Sequence, residues 1–299
     1  MAKCFLSLSD FESCEITSMM DLADSLRTSW ITNSMPQNLK GKNIALIWDA
    51  GGFRNRVAFE LGITAMGGRA VQIPGTLDAR EPIEDVARYL QNWFNCIVAR
   101  TQTHDHMKRL AAAAGIPVVN ARTNYNHPCE ILGDLVYIRS IRRTLSKLKV
   151  VFVGENTNLC HPWLEAASRL PIKVIQVCPE GFQVNAKVLA VLRTGAIGEM
   201  EVSHNLAESL READVIYTDC WPKRPTSEES EKVRKEFLPY QITSEMLALA
   251  KADHFFLPCP PVTRGEEVST EVMLSSGKQV YEAKEYLLHA QNAVLTTLV

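Results

Sequence analysis

KNIALIWDAGGFRNRVAFELGITAMGGRAVQIPG, residues 42–75, decides the fold. Ile44 to Trp48 form a short apolar run, too short for a buried helix and suited to a buried strand. Asp49 ends the run, and Gly51 and Gly52 break the chain for a tight turn. From about Phe53 the apolar spacing in RVAFELGITAMGG predicts a helix, and AVQIPG predicts a second strand. A strand that reaches the next strand through a helix builds a parallel sheet, with helices covering its faces.

The same alternation extends in both directions. Upstream, Ser9 can cap a helix starting at Asp10 with Glu12 as its third-residue partner, and Ile16, Met19, Met20, Ala23 and Leu26 recur at helical spacing. Downstream, Pro82 and Asp85 open a helix, FNCIVAR (94–100) is a strand, HDHMKRLAAAAG a helix with Gly115 as its C-cap, and IPVVNA a strand. A helix opening at His127 crosses out of this first domain. The second half repeats the scheme with KVVFV, PWLEAASRL, IKVIQV and DVIYTD. The polar stretch CWPKRPTSEESEKVRKEFLPY, the helix ITSEMLALA, the strand HFFLPCP and a final helical run follow. The expected fold is α/β: two parallel-sheet domains with helices on both faces and a cleft between them. Domain one spans 1–130 and domain two 131–278, while 279–299 either caps the second domain or returns to the first.

Composition narrows the function. The 299 residues hold 32 Lys plus Arg against 34 Asp plus Glu, a net charge of −2. That balance argues against a broad nucleic-acid surface. No apolar run is long enough to span a bilayer, and the acid-containing N-terminus resembles no secretory signal. Eight cysteines without a CxxC pair predict reduced thiols in a cytoplasmic chain.

Candidate chemistry sits where strands end. In DAGGFRNR (49–56), backbone N–H groups at a helix start favour an anion, and Arg54 or Arg56 can grip phosphate bidentately. Two residues apart, they cannot share a helix face, so at most one touches a ligand. The plain alternative is one solvated and one ion-paired arginine. Arg100 ends a strand at the carboxyl edge, where open α/β sheets bind ligands; it also suits a surface ion pair. In NYNHPCE, His127 stands beside a helix start with Glu130 one turn on, as a near-neutral base or donor or as a buried cap. His104 and His106 lack the spacing of a metal site, and VGENTN (153–158) lacks a dinucleotide fingerprint, though its polar residues, Asn158 among them, can line a cleft. Asp219 is placed to hold a substrate ammonium, or belongs to a solvated loop packed by Trp221. The proline-rich LPCPPVTRGEE (257–267) suits a rigid cleft wall or a plain strand exit. Nothing in the sequence activates Cys259.

In order, FLSLSDFESCEI, GGFRNRVAFELGITAMGG, REPIEDVARYLQNWFNCIVART, NHPCEILGDL, VVFVGENTN, YTDCW, LPCPPVTRGEEV and YEAKEYLLHAQNAVLTTLV resemble the aspartate/ornithine carbamoyltransferase family over essentially the whole chain. The resemblance implies a first domain for carbamoyl phosphate, a second for an amino-acid-like acceptor, a return of the last helix to the first domain, and a homotrimer with shared sites. It implies no organic cofactor and no catalytic metal. It assigns Arg54, Arg100 and His127 to phosphate and carbonyl oxygen. Gly52, Phe53, Asn55, Glu130, Asn158, Cys259, Pro260 and Arg264 fall among the substrate-binding positions, with Asp219 on the acceptor amine and Arg80 the basic residue of the neighbour-reaching loop PGTLDARE (74–81).

Several positions depart from the family pattern. The Ser-Thr-Arg-Thr-Arg loop reads Gly52-Phe53-Arg54-Asn55-Arg56. Glu130 replaces the glutamine of His-Pro-x-Gln. Leu257-Pro258-Cys259-Pro260 has lost the histidine of its motif, and no Ser-Met-Gly follows Asp219. Three readings stay open: an unusual carbamoyltransferase, a transferase or lyase taking another donor such as a cationic substrate, and a silent binding or regulatory homologue.

Overall fold

Two parallel sheets organise the chain, seen in a computed structural model that describes residues 2–49, 51–75, 77 and 80–299. Contacts divide it into two units, Met1–Ile141 with Lys284–Val299, and Arg142–Ala283. The first unit runs α1 (Ser13–Ile31), β1 (Asn43–Trp48), α2 (Phe53–Ala65), β2 (Arg69–Ile73), α3 (Ile83–Leu90), β3 (Cys96–Arg100), α4 (His104–Ala113), β4 (Val118–Arg122) and α5 (Pro128–Arg142). Its sheet has the order β2-β1-β3-β4, all parallel. The predicted apolar stripe of α1 is the buried one, Ile16, Met19, Met20, Ala23 and Leu26. In α5 every residue from Pro128 to Ile138 is buried, as a nearly all-round apolar helix requires. One sheet face packs Ala45, Ile47, Ile97 and Ala99 against Ile83, Ala87, Leu90, Met107 and Leu110. Each fully buried Ile, Leu or Met stabilises the fold by about 1.5–3 kcal/mol.

The second unit continues with β5 (Lys149–Val153), α6 (Cys160–Arg169), β6 (Lys173–Val177), α7 (Ala186–Arg193), β7 (Glu199–Ser203), α8 (Leu206–Leu210), β8 (Val215–Thr218), α9 (Ser227–Phe237), α10 (Ser244–Leu247), β9 (Phe255–Pro258), α11 (Thr270–Ser276) and α12 (Lys278–Leu298). Its sheet, β7-β6-β5-β8-β9, is again parallel throughout. The unit boundary falls inside α12, whose part from Lys284 onward belongs to the first unit, so the chain does return. That return buries Leu287, Ala290, Ala293, Val294 and Leu295. The helix opening at His127 also stays in the first unit, up to Ile141.

Local departures have local causes. Ser9 does not cap α1: Leu8–Asp10 form a 3-10 turn capped by Ser7, and the capping box is Glu12 with Glu15. Gly115 is not a left-handed cap, because α4 ends in an extended Ala114 and the Gly115 N–H donates to Gln91 Oε1 at 2.8 Å. The edge strand β7 went unread because Glu199 and Glu201 dominate it, each pairing with Lys173 of β6. The polar stretch after Asp219 contains α9, started by a Thr226–Glu229 capping box and anchored by Val233 and Phe237.

Candidate functional site

In the first unit, the chemistry collects where β1 and β3 end. The Asp49 N–H donates to the Arg100 carbonyl at 3.1 Å, and the Gln102 N–H donates to Asp49 Oδ2 at 3.1 Å, so one carboxylate ties the two exits together. Gly51 and Gly52 then take φ of 54° and 72°, a left-handed turn that glycine adopts at little cost. Ala50, and Thr76, Asp78 and Ala79 of the loop 74–81, lie outside the described residues.

The turn brings Arg100 against the start of α2. A Cβ at Gly52 would stand 2.5 Å from both Cζ and Nη1 of Arg100. The guanidinium therefore occupies the space that a side chain at position 52 would fill, which accounts for the missing serine. The thirteen-residue α2 has no side-chain cap at Gly52, so its first N–H groups face outward with a positive partial charge. Its two arginines separate as their spacing requires. Arg56 pairs at the surface with Glu60, whereas Arg54 is half-buried and stacks over the Phe53 ring at 4.9 Å. Phe53 itself is exposed.

Asn55 turns inward instead. Its Nδ2 donates to the Ala121 carbonyl at 3.2 Å, while Gln291 Nε2 on α12 donates to Asn55 Oδ1 at 3.1 Å. A backbone carbonyl only accepts, so this bond fixes which end of the Asn55 amide is nitrogen. The same nitrogen lies 3.3 Å from His127 Nε2, which must then accept. His127 is accordingly the neutral Nδ1–H tautomer. Burial, helped by Arg100, Arg122 and Lys284, pulls its pKa down to about 4 against the opposing pull of Glu130. At neutral pH His127 is a dipole and not a cation.

Glu130 lies one turn along α5, with Oε2 3.7 Å from His127 Nε2. Its other oxygen is 2.6 Å from Lys284 Nζ on α12, and the same ammonium meets Asp134 Oδ1 at 3.0 Å. Burial alone would raise the Glu130 pKa. Lys284, with Arg54 nearby, outweighs that and holds the carboxyl below its ordinary range. Glu130 stands out in the sequence, whereas Lys284 and Gln291 are marked there only by their seven-residue spacing, which puts them on one face of the return helix.

Arg80 is exposed, the remaining basic residue of its loop. In the second unit, Asp219 follows β8 and its Oδ1 accepts the Cys220 N–H at 2.8 Å. Cys220 Sγ donates to the Pro261 carbonyl at 2.8 Å, and burial, with Glu267 and Asp219 nearby, pushes this thiol up to about 12. The Cys259 N–H continues the β8–β9 ladder to the Thr218 carbonyl, and Pro260–Pro261 is a cis peptide. Asn158 is buried before α6. Arg264 is exposed, with a single bridge to Val268. Two acids missed in the sequence lie within electrostatic reach of Asp219. Burial raises Glu155 against an opposing Arg224, and burial raises Glu267 to about 7. Asp219, Glu155 and Glu267 make this edge acidic, whereas the edge around Arg100 and Arg54 is basic. Among the described residues no group of three or more acids, histidines or cysteines is arranged to hold a metal ion.

Comparison with known proteins agrees with this division. Residues 3–140 match the description "Aspartate/ornithine carbamoyltransferase, carbamoyl-P binding domain", and residues 146–298 match "Aspartate/ornithine carbamoyltransferase, Asp/Orn binding domain". The chain is 37% identical to an ornithine carbamoyltransferase of Carboxydothermus hydrogenoformans, over 99% of this chain and 97% of that protein. The solved ornithine carbamoyltransferase of Pyrococcus furiosus superimposes with a TM-score of 0.95 at 33% identity, covering 100% of this chain and 97% of that one. The anabolic ornithine carbamoyltransferase of Campylobacter jejuni gives 0.91 at 28% identity, with 99% and 98% covered.

Proposed function

The chain belongs to the aspartate/ornithine carbamoyltransferase family, and from that premise we propose that it moves a carbamoyl group from carbamoyl phosphate to the amine of an amino-acid-like acceptor. The observation that carries this reading is the basic edge of the first sheet. The start of α2, Arg54 and the Arg100 guanidinium against Gly52 surround one place suited to a small phosphorylated anion. The three hydroxyls absent from the loop are donors that Arg100 and the backbone N–H groups replace.

The reaction is acyl transfer. The unprotonated acceptor amine attacks the carbamoyl carbon, the bond from that carbon to the phosphate ester oxygen breaks, and inorganic phosphate leaves. The amine loses a proton as the ureido product forms. Arg54 and Arg100 stabilise charge on the leaving phosphate, and neutral His127 helps to orient the carbamoyl group without adding a third full charge. Asp219 holds the acceptor's amino group, with Glu155 and Glu267, whose ionisation burial suppresses, beside it. The roles of Asn158, Cys259, Pro260 and Arg264 as walls of the acceptor site follow family position.

A trimer with shared sites belongs to the same proposal. It is supported by Phe53, Val57 and Leu61, three apolar residues exposed at four-residue spacing on α2. Arg80 would then serve a neighbouring protomer.

The test is direct. Purified protein, given carbamoyl phosphate and a panel of amines that includes ornithine, is expected to release phosphate and form one ureido product. Folded protein that neither binds carbamoyl phosphate nor forms such a product with any amine would sink the reading.

A further inference from the structure

A carboxylate beside a phosphate site poses an electrostatic problem. Glu130 is buried next to His127 and near Arg54, the residues assigned to the donor, so an isolated Glu130 charge would oppose the anion. The structure answers from another element. Lys284, in the part of α12 that belongs to the first unit, places its ammonium 2.6 Å from Glu130 Oε1 and 3.0 Å from Asp134 Oδ1. Asp134 is one turn further along α5 and more deeply buried, so Glu130 is the acid nearer His127. The lysine engages one oxygen of Glu130, while the other oxygen stays on the His127 side.

We propose that Lys284 is a positioning residue for the donor: it neutralises Glu130 in place and turns the free oxygen of that carboxylate toward the carbamoyl group, where it accepts an N–H of the donor. The carboxylate thereby acts as an acceptor whose charge is offset by the ammonium it shares with Asp134. A glutamate can then occupy this position beside a bound anion. This rests on the carbamoyl phosphate reading above.

A double-substitution cycle tests the proposal, read as inorganic phosphate affinity by calorimetry and as KM and kcat for carbamoyl phosphate. Lys284→Met exposes the anion to an unmatched carboxylate, so phosphate binding weakens and KM rises about 10-fold or more, with kcat changing much less. Glu130→Gln with Lys284→Met removes that carboxylate, leaves only Asp134, the acid farther from His127, without the lysine, and restores binding to within about 3-fold of the wild type. Lys284→Arg keeps the wild-type values. If the double variant is as impaired as Lys284→Met, the lysine only supports the fold and the proposal is overturned. An unaffected Lys284→Met overturns it too.

Should Lys284→Met fail to fold, Glu130→Gln decides alone. With one negative charge gone beside the site, phosphate should bind about 3-fold more tightly, and unchanged or weaker binding is fatal. The two readings fail separately. A wild type that follows this cycle for inorganic phosphate yet never turns over carbamoyl phosphate refutes the functional reading alone. Turnover with an uncoupled cycle refutes only this one.

Discussion

Gly52 shows how one residue can be misread from a motif. Against the family pattern it looks like a loss, a serine hydroxyl deleted from a phosphate loop. In the fold it is a gain of space, since φ of 72° and the Arg100 guanidinium leave no room for a Cβ. Restoring the serine should therefore do harm. Gly52→Ser places a non-glycine residue in the left-handed region, costing about 1–2 kcal/mol, and displaces the end of Arg100. Because that end is the flexible part of the side chain, the fold survives and binding suffers. Phosphate affinity measured by calorimetry should fall about 10-fold, as expected when one charge-assisted contact is lost, while the melting temperature moves only a few degrees. Affinity equal to the wild type would show that the position of Arg100 does not matter. Asn55 carries the complementary lesson. As a loop position it reads as a ligand donor, but its amide is held by Ala121, His127 and Gln291. Its work is to hold the histidine in one tautomer.

Among the elements, α12 carries more than its apolar pattern announces. Its buried leucines and alanines explain why it packs on the first unit, and its polar residues explain what that packing does. Lys284 reaches Glu130, Gln291 reaches Asn55, and Asn292 comes so close to α2 that a Cβ on Gly62 would lie 1.9 Å from its Oδ1. Gly62 sits in mid-helix, where alanine would ordinarily add about 1 kcal/mol of helix stability. Here the prediction is the reverse. Gly62→Ala should lower unfolding free energy by about 1–3 kcal/mol through overpacking, measured by urea denaturation, and adding Asn292→Ala should recover most of it. A stabilised Gly62→Ala would mean that α2 and α12 do not approach so closely. Similarly, Gly133 of α5 faces the backbone of Leu287, so a second glycine permits the same helix to seat. Apolar periodicity could not reveal these contacts, because it marks the buried face of a helix without saying which polar residue on that face meets which partner.

At the scale of the whole molecule, the α2 surface makes the assembly prediction. Phe53, Val57 and Leu61 are too exposed to belong to the core of one chain. Light scattering should give the mass of about three protomers, each 33.4 kDa, and Leu61→Asp should shift the distribution to monomer without loss of circular dichroism. A wild-type monomer at micromolar concentration would end the trimer proposal. The architecture itself was legible in the chain: short apolar runs alternating with amphipathic helices admit little except parallel sheets covered on both faces, since burial on both sides is what makes a strand continuously apolar. Arg100 and Asp219 could be read for the same reason, as strand ends lead to the carboxyl edge whatever the side chains there do. Less was legible where charge disguised periodicity, as in β7 and α9, whose apolar anchors are few. What only the tertiary structure decided were contacts between residues far apart in sequence: Arg100 filling the space above Gly52, Asn55 setting the tautomer of His127, and Lys284 reaching Glu130 and Asp134 from the far end of the chain. Local sequence dictates the elements because hydrophobic burial repeats with the backbone's own period. Pairing of buried polar groups has no period, so it became visible only when the chain had folded back on itself.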